Sequence, residues 1–294
     1  MTARSTDQGA PGRGAPGRGA RTEECRTEEH RTEERRTEER LTRARAGRPY
    51  AVTAMKTIRT PADEAEARAL QDELRGLVVR DEPGPPPGTG RVTGVDVAYD
   101  DERDIVAAAA VVLDAATLDV VEEATAVGRV SFPYVPGLLA FREIPTVLAA
   151  LESLTSDPGL VVCDGYGLAH PRRFGLAAHL GVVTGLPSIG VAKNPFTFSY
   201  EPPGTRRGDS SPLLADDGEE VGAALRTRDG VKPVFVSVGH RVDLPTARAH
   251  TLRLTPRYRL PESTRHADAL CRRALREATA ATAAPPGAAP DGRE

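Results

Sequence analysis

Three carboxylates stand where a folded chain would gather them. Asp96 lies in RVTGVDVAYD, a β-rich run in which Val95 and Val97 face one way and the carboxylate shares its face with Gly94 and Ala98, small neighbours that leave open space. Asp164 ends the apolar run Leu160, Val161 and Val162, so it emerges at a strand end, where ligands collect in α/β sheets. Glu143 precedes Pro145 in FREIPTVLAALESL, and a proline is tolerated in a first helical turn, which puts Glu143 at a helix entrance. Bare carboxylates brought together cost too much unless protons or cations compensate, and an oxygen-rich cluster with open positions is what Mg²⁺ or Mn²⁺ requires. Such ions polarise a phosphodiester, activate water and stabilise a departing 3′ oxygen. Spacing alone leaves a plainer reading open, because single Asp residues at strand ends also act as caps and turn formers.

The elements that must position these groups can be read from periodicity. Thr60 to Val79 reads as an amphipathic helix with Leu70, Leu74 and Leu77 on one side, stopped by DEPGPPPGTG. RVTGVDVAYD, DIVAAAAVVLDA and TLDVVEEATAVGRV follow as three strands in succession, an antiparallel meander. FREIPTVLAALESL places Phe141, Ile144, Leu148 and Leu151 at helical spacing; GLVVCDGYG is a buried strand ending in a glycine-flanked loop; PRRFGLAAHLGVVTGL is a helix with Leu176, Leu180 and Val183 inward. PSIGVAK and VKPVFVSVGH are further strands, and TARAHTLRL and STRHADALCRRALREA supply closing helices. This order predicts one α/β domain, a mixed sheet flanked by helices, rather than two independent cores. Val161 to Cys163 and the helical Leu and Val positions are core, and His179, in mid-helix, is a structural histidine.

A chain of 294 residues with 39% hydrophobic content can bury such a core. Residues 1–54 stand apart: APGRG occurs twice, then RTEEC, RTEEH, RTEER and RTEER, with no large apolar side chain in the repeats, so a disordered tail is expected. Met55 stands just where ordered-looking sequence begins, so the tail is expected to be dispensable and even untranslated. The expected organisation is this tail, a folded domain over 55–280 and a flexible C-terminal tail over 281–294. No run of about 20 apolar residues and no secretory signal is present, so the expectation is a cytoplasmic protein without membrane contact. Cys25, Cys163 and Cys271 form no C-x-x-C pair and read as ordinary thiols. The formal net charge is −3, but residues 1–54 hold twelve Arg against nine acids, which leaves about −6 for the rest. Such a domain cannot rely on global attraction to phosphate. Lys232 to Arg259, with six Lys or Arg against Asp243, and Gly165 to Lys193, with no acid, supply either a local basic surface or merely solvated faces.

GVDVAY, FPYVPGLLAFRE, DGYGLAHPRRFGLAAHLGVVTGLPSIGVAK, PVFVSVGHRVDLPTA and RYRLPESTRHAD, in that order, closely resemble the signature segments of the endonuclease V family. The resemblance runs from about Met55 to Arg276, and the block from DGYG to GVAK is too long and specific for chance. It implies a ribonuclease H-like fold in which Asp96, Glu143 and Asp164 bind Mg²⁺, with Mn²⁺ as a substitute. The activity it implies is that of a DNA repair endonuclease cutting the second phosphodiester 3′ to hypoxanthine (deoxyinosine) and leaving 3′-hydroxyl and 5′-phosphate ends. By the same resemblance His240, in SVGH, matches a histidine near the metal and the attacking water, against the plainer reading of a surface His after a strand. Lys193, one of only three lysines, would contact the scissile-side phosphate. His170 and Arg172, in AHPRR, either hold DNA phosphates or order the loop after Asp164.

Reading one altered base requires taking it out of the stack. The family's pocket is largely backbone, from loops that here correspond to Gly137, Leu138, Leu139 and Gly165, and its Pro-Tyr-x-Pro-Gly loop, here Pro133 to Gly137, contacts DNA at the lesion. Tyr134 is therefore expected to be a wedge, the alternative being a ring that packs the loop onto the sheet. Tyr166, where His or Gln is frequent, and Asn194, where a small residue is usual, depart from the pattern; Tyr166 puts fine substrate preference in doubt. The expected partner of a monomer is damaged DNA. One alternative is an inosine-specific endoribonuclease. Another is a non-catalytic nucleic-acid-binding module, against which the intact Asp96, Glu143, Asp164, Lys193 and His240 speak.

Overall fold

The computed structural model describes residues 59–283; the tail at 1–54, Met55, Cys25 and residues 284–294 lie outside them. The chain enters through helix α1 (Glu64–Arg75), capped by the Asp63 carboxylate accepting from the Glu66 amide while the Glu66 side chain accepts from the Ala62 amide. This helix stops earlier than expected. It ends at Gly76, so Leu77 falls out of helical phase and is exposed rather than on the inner side.

Strands β1 (Arg91–Asp100), β2 (Ile105–Asp114) and β3 (Val120–Arg129) form the expected antiparallel meander. Helix α2 (Leu139–Ser153), β4 (Leu160–Cys163), α3 (Leu176–Thr184) and β5 (Ser188–Ala192) follow. Then come β6 (Ser210–Leu214), β7 (Glu220–Leu225), β8 (Val234–His240), α4 (Leu244–Arg253) and α5 (Glu262–Ala283). The eight strands make one sheet in the order β3-β2-β1-β4-β5-β8-β7-β6. Its centre is parallel, β1 with β4 and β4 with β5, and both flanks are antiparallel.

Alternation along β2 divides the interior. Ala108, Ala110 and Val112 join Val95 under Ile144, Val147 and Leu148 of α2 and Leu180 of α3, whereas Ala109, Val111 and Leu113 turn to Ala267, Leu270 and Cys271 of α5. The sheet is thus covered on both faces. Beside Asp96, space expected to be open is taken: the α5 backbone lies so close to β1 that a Cβ at Gly94 would fall within the Ser263 carbonyl. Pro145 also differs from expectation. The helix starts at Leu139, so Pro145 lies inside it, and its missing N–H leaves the Phe141 carbonyl without the usual partner. His179 is structural as expected, buried between Phe141 and Phe174 with ring centroids 5.0 Å away on each side, although its Nδ1 finds no hydrogen-bond partner.

Candidate active site

The parallel centre of the sheet gathers the carboxylates. Val95 pairs with Cys163, so the next residues, Asp96 within β1 and Asp164 just past β4, stand side by side at one level. Cys163 pairs with Gly190, which brings Lys193, just past β5, to the same rim, and its ammonium bonds the Asp164 carboxylate. Glu143 reaches this rim from the second turn of α2, where it is 6% exposed. Its Oε1 accepts from the Tyr99 hydroxyl at 3.1 Å, and the Arg142 guanidinium lies 4.5 Å over the Tyr99 ring while pairing with Asp101. Tyr99 and Asp96 are three residues apart on one strand, so they point to opposite faces: β1 carries one carboxylate itself and steadies another through a tyrosine.

Electrostatics binds these groups into one unit. Burial, reinforced by the charge of Asp164, pushes the Asp96 carboxyl up to about 7. Burial and the charges of Asp96 and Asp164 push Glu143 up to about 8, against the opposing hydrogen bond from Tyr99. Asp268, on the second turn of α5, also raises Asp96 and acts on Lys193. This fourth carboxylate was not among the residues singled out from sequence. It sits in a charged helical run where Arg272 pairs with it at 2.8 Å, an i,i+4 pattern that reads as a solvated face.

As placed, no three His, Cys, Asp or Glu side chains among the described residues converge closely enough to hold a metal ion. The donor chemistry nonetheless fits one. The group offers carboxylate oxygens, two of its members are held protonated toward neutral pH by burial and by one another, and a divalent cation is what relieves that repulsion.

A cavity of about 410 Å³ opens beside this rim, lined by Glu143, Asp164 and Lys193 on one side and by Tyr134, Gly137, Leu139, Gly165, Tyr166 and His170 on the other. Gly137, at φ +83°, and Gly165, at φ +158°, hold backbone that a side chain would strain. Tyr134 is 69% exposed, so its ring does not pack the loop onto the sheet. Tyr166 lies edge-on to Phe196 at 5.2 Å and donates to the Asn194 carbonyl, so the two departures from the family pattern touch each other.

Other expected site residues are placed elsewhere. Leu138 is buried among Ala67, Leu70, Phe132 and Phe141 and does not line the cavity; neither does Pro133. Arg172 gives its guanidinium to Asp72 and to the Arg68 carbonyl, tying its loop to α1. His170 accepts from the Arg172 amide and lies against Gly137, and burial lowers it to about 4, so it is neutral and orders the loop. His240 is not brought to the carboxylates. Antiparallel pairing sets it opposite Ser188, at the far end of β5 from Lys193, where its Nδ1 accepts from the Val79 amide. Burial and the neighbouring Arg241 hold it neutral.

The chain has close relatives among known proteins. The family model for endonuclease V matches residues 72–269. An endonuclease V of Streptomyces avermitilis is 78% identical over 230 residues, covering 77% of this chain and all of its own. A crystal structure of endonuclease V from the same organism, 80% identical, superposes with a TM-score of 0.74 over 75% of this chain and 96% of its own. The Ciona intestinalis endonuclease V, solved with a DNA containing an inosine followed by a ribo-adenosine, is 28% identical with a TM-score of 0.63 over 73% of this chain and 98% of its own. With a mixed sheet, a rim of coupled carboxylates and relatives of this similarity, the chain belongs to the endonuclease V family of nucleases, hydrolases acting on phosphodiester bonds.

Proposed function

We propose that the chain is a Mg²⁺-dependent repair endonuclease that cuts the second phosphodiester 3′ to hypoxanthine in DNA, leaving 3′-hydroxyl and 5′-phosphate ends. The observation that carries this reading is the junction of two features: Asp96 and Glu143, both raised by burial and by the charge of Asp164, and a cavity beside this rim bounded by Gly137 and Gly165. Asp96, Glu143 and Asp164 would hold the cation, with Asp268 within electrostatic reach of Asp96. Bound there, Mg²⁺, or Mn²⁺ in its place, supplies positive charge to a phosphodiester oxygen and acidity to a water. Tyr99 keeps the Glu143 carboxylate in place. Lys193 brings a compact positive charge to the rim, suited to the phosphate beside the cut. Glycine backbone at 137 and 165 lets peptide groups approach the edge of an extruded purine.

The Ciona relative was solved on an inosine-containing strand with a ribonucleotide after the lesion, which makes the sugar worth testing here. Matched DNA and RNA oligonucleotides with one inosine, incubated with Mg²⁺, Mn²⁺ or chelator, decide the matter. Cation-dependent cleavage of the DNA at the second bond is expected; cleavage confined to RNA would replace the substrate, and undiminished cleavage in chelator would remove the metal.

Tyr134 is the wedge in this reading. Its loop is stiffened by Pro133 and Pro136, so presenting the ring costs little further entropy. Stacking by an aromatic is worth about 1–3 kcal/mol, so Tyr134→Ala should weaken binding of inosine-containing duplex in Ca²⁺ by roughly ten- to hundredfold. Thermal stability should be unchanged, since the ring is 69% exposed. A variant that loses stability yet keeps its preference for inosine would show a structural ring.

A further inference from the structure

Besides Tyr134, one aromatic ring stands exposed among the described residues: Tyr258, at 46%. The Arg265 guanidinium is stacked 3.4 Å from its centroid and is itself held by Glu262 at 2.6 Å, so one face of the ring is braced and the remainder is open. The adjacent Arg259 ties this loop to the catalytic rim. Its guanidinium donates to the backbone carbonyls of Lys193, Lys232 and Pro233, and it feels the charge of Asp164. Arg257, on the other side of Tyr258, is exposed. An aromatic ring fixed among arginines beside a phosphodiester-cutting site has the composition of a single-strand stacking platform.

Position gives the platform a direction. Tyr134 leads into α2 and Tyr258 into α5, helices on opposite faces of the sheet. A strand whose altered base sits by Tyr134 and whose cut bond lies at the carboxylates runs 5′ to 3′ from that cavity to the rim. Tyr258 does not line that cavity, and Arg259 beside it bonds the Lys193 carbonyl, so its loop stands at the rim rather than beside the altered base.

We propose that Tyr258, braced by Arg265, is a stacking station for a base on the 3′ side of the cut. This rests on the reading of lesion and cut above. The test measures binding in Ca²⁺ of inosine-containing strands with a constant 5′ arm and a 3′ arm that either ends at the cut or extends about six nucleotides past it, a length within the range such platforms cover. For the unmodified protein the longer arm should bind about tenfold more tightly; Tyr258→Ala should lose most of that gain while binding the short arm normally, and Tyr258→Phe should retain it. Retention of the full gain by Tyr258→Ala, or an equal loss on both arms, overturns the proposal. Failure of the underlying reading would show separately, as no preference for inosine by the unmodified protein at either length.

Discussion

Asp96→Asn is expected to abolish cation-dependent cleavage, by about a thousandfold or more, and at the same time to raise the melting temperature of the metal-free protein. The two effects have one origin. Asp96 is lifted from 3.8 to about 7, first by burial and then by Asp164, so it takes up a proton on folding. Its charge therefore opposes folding, weakly near pH 4 and fully above about pH 7. Asparagine removes that opposition and keeps the acceptor that now receives the Val97 amide at 2.9 Å. Allowing for coupling among the carboxylates, the gain at pH 8 is on the order of 2 kcal/mol, or about 5 °C. It should shrink toward zero at pH 4. Thermal melts in chelator at both pH values measure it. Added Mg²⁺ should raise the melting temperature of the unmodified protein but not of the variant, because ligand binding stabilises only the form that binds. Near-normal Mg²⁺-dependent turnover by Asp96→Asn would dismiss Asp96 as a ligand.

Gly94→Ala carries a large expected cost to stability. Its new methyl would meet the Ser263 carbonyl and the Thr264 amide, which are backbone atoms of α5 that no side-chain rotation can withdraw. Helix and strand must separate, at about 3 kcal/mol or more. Asp268 lies five residues along that helix, so separation also carries it away from Asp96 and lowers cleavage in the molecules that remain folded. Gly128→Ala is the control, since there the methyl meets only the Thr146 side chain, with its Oγ1 at 3.2 Å. Urea denaturation of both variants decides it; a Gly94→Ala curve overlaying the unmodified one would mean that α5 is not seated on β1 as described.

The sequence carried Asp164 and the surroundings of Asp96 because local pattern alone defines them. Asp164 closes an apolar run that can only be a buried strand, and the successive β runs around Asp96 demand a meander. What sequence could not carry was direction and depth. A Gly-His pair closing a β run looks alike at either end of a sheet, and only the antiparallel register of β8 shows that His240 lies at the opposite end of β5 from Lys193. Gly94 reads as room for a ligand until a helix from the far end of the chain is found against it. Asp268 looks solvated because its Arg272 partner is local, whereas its influence on Asp96 is a tertiary effect. The β6–β7 hairpin was not resolved into strands, since the acidic turn of PLLADDGEE reads as loop and its pairing partner β8 is supplied by tertiary structure.

The seating of α5 on β1 has a consequence for biosynthesis. The meander can pair as soon as Arg129 is made, since its strands are neighbours in sequence, but its Ala109, Val111 and Leu113 face is covered only by residues from Ala267 onward. An elongating chain therefore carries a bare apolar sheet face while the residues between Arg129 and Ala267 are made, the kind of surface that chaperones capture and that aggregates when they do not. The helix that finally shields that face also delivers Asp268 beside Asp96, so closure of the hydrophobic layer and completion of the acidic rim are one late folding event.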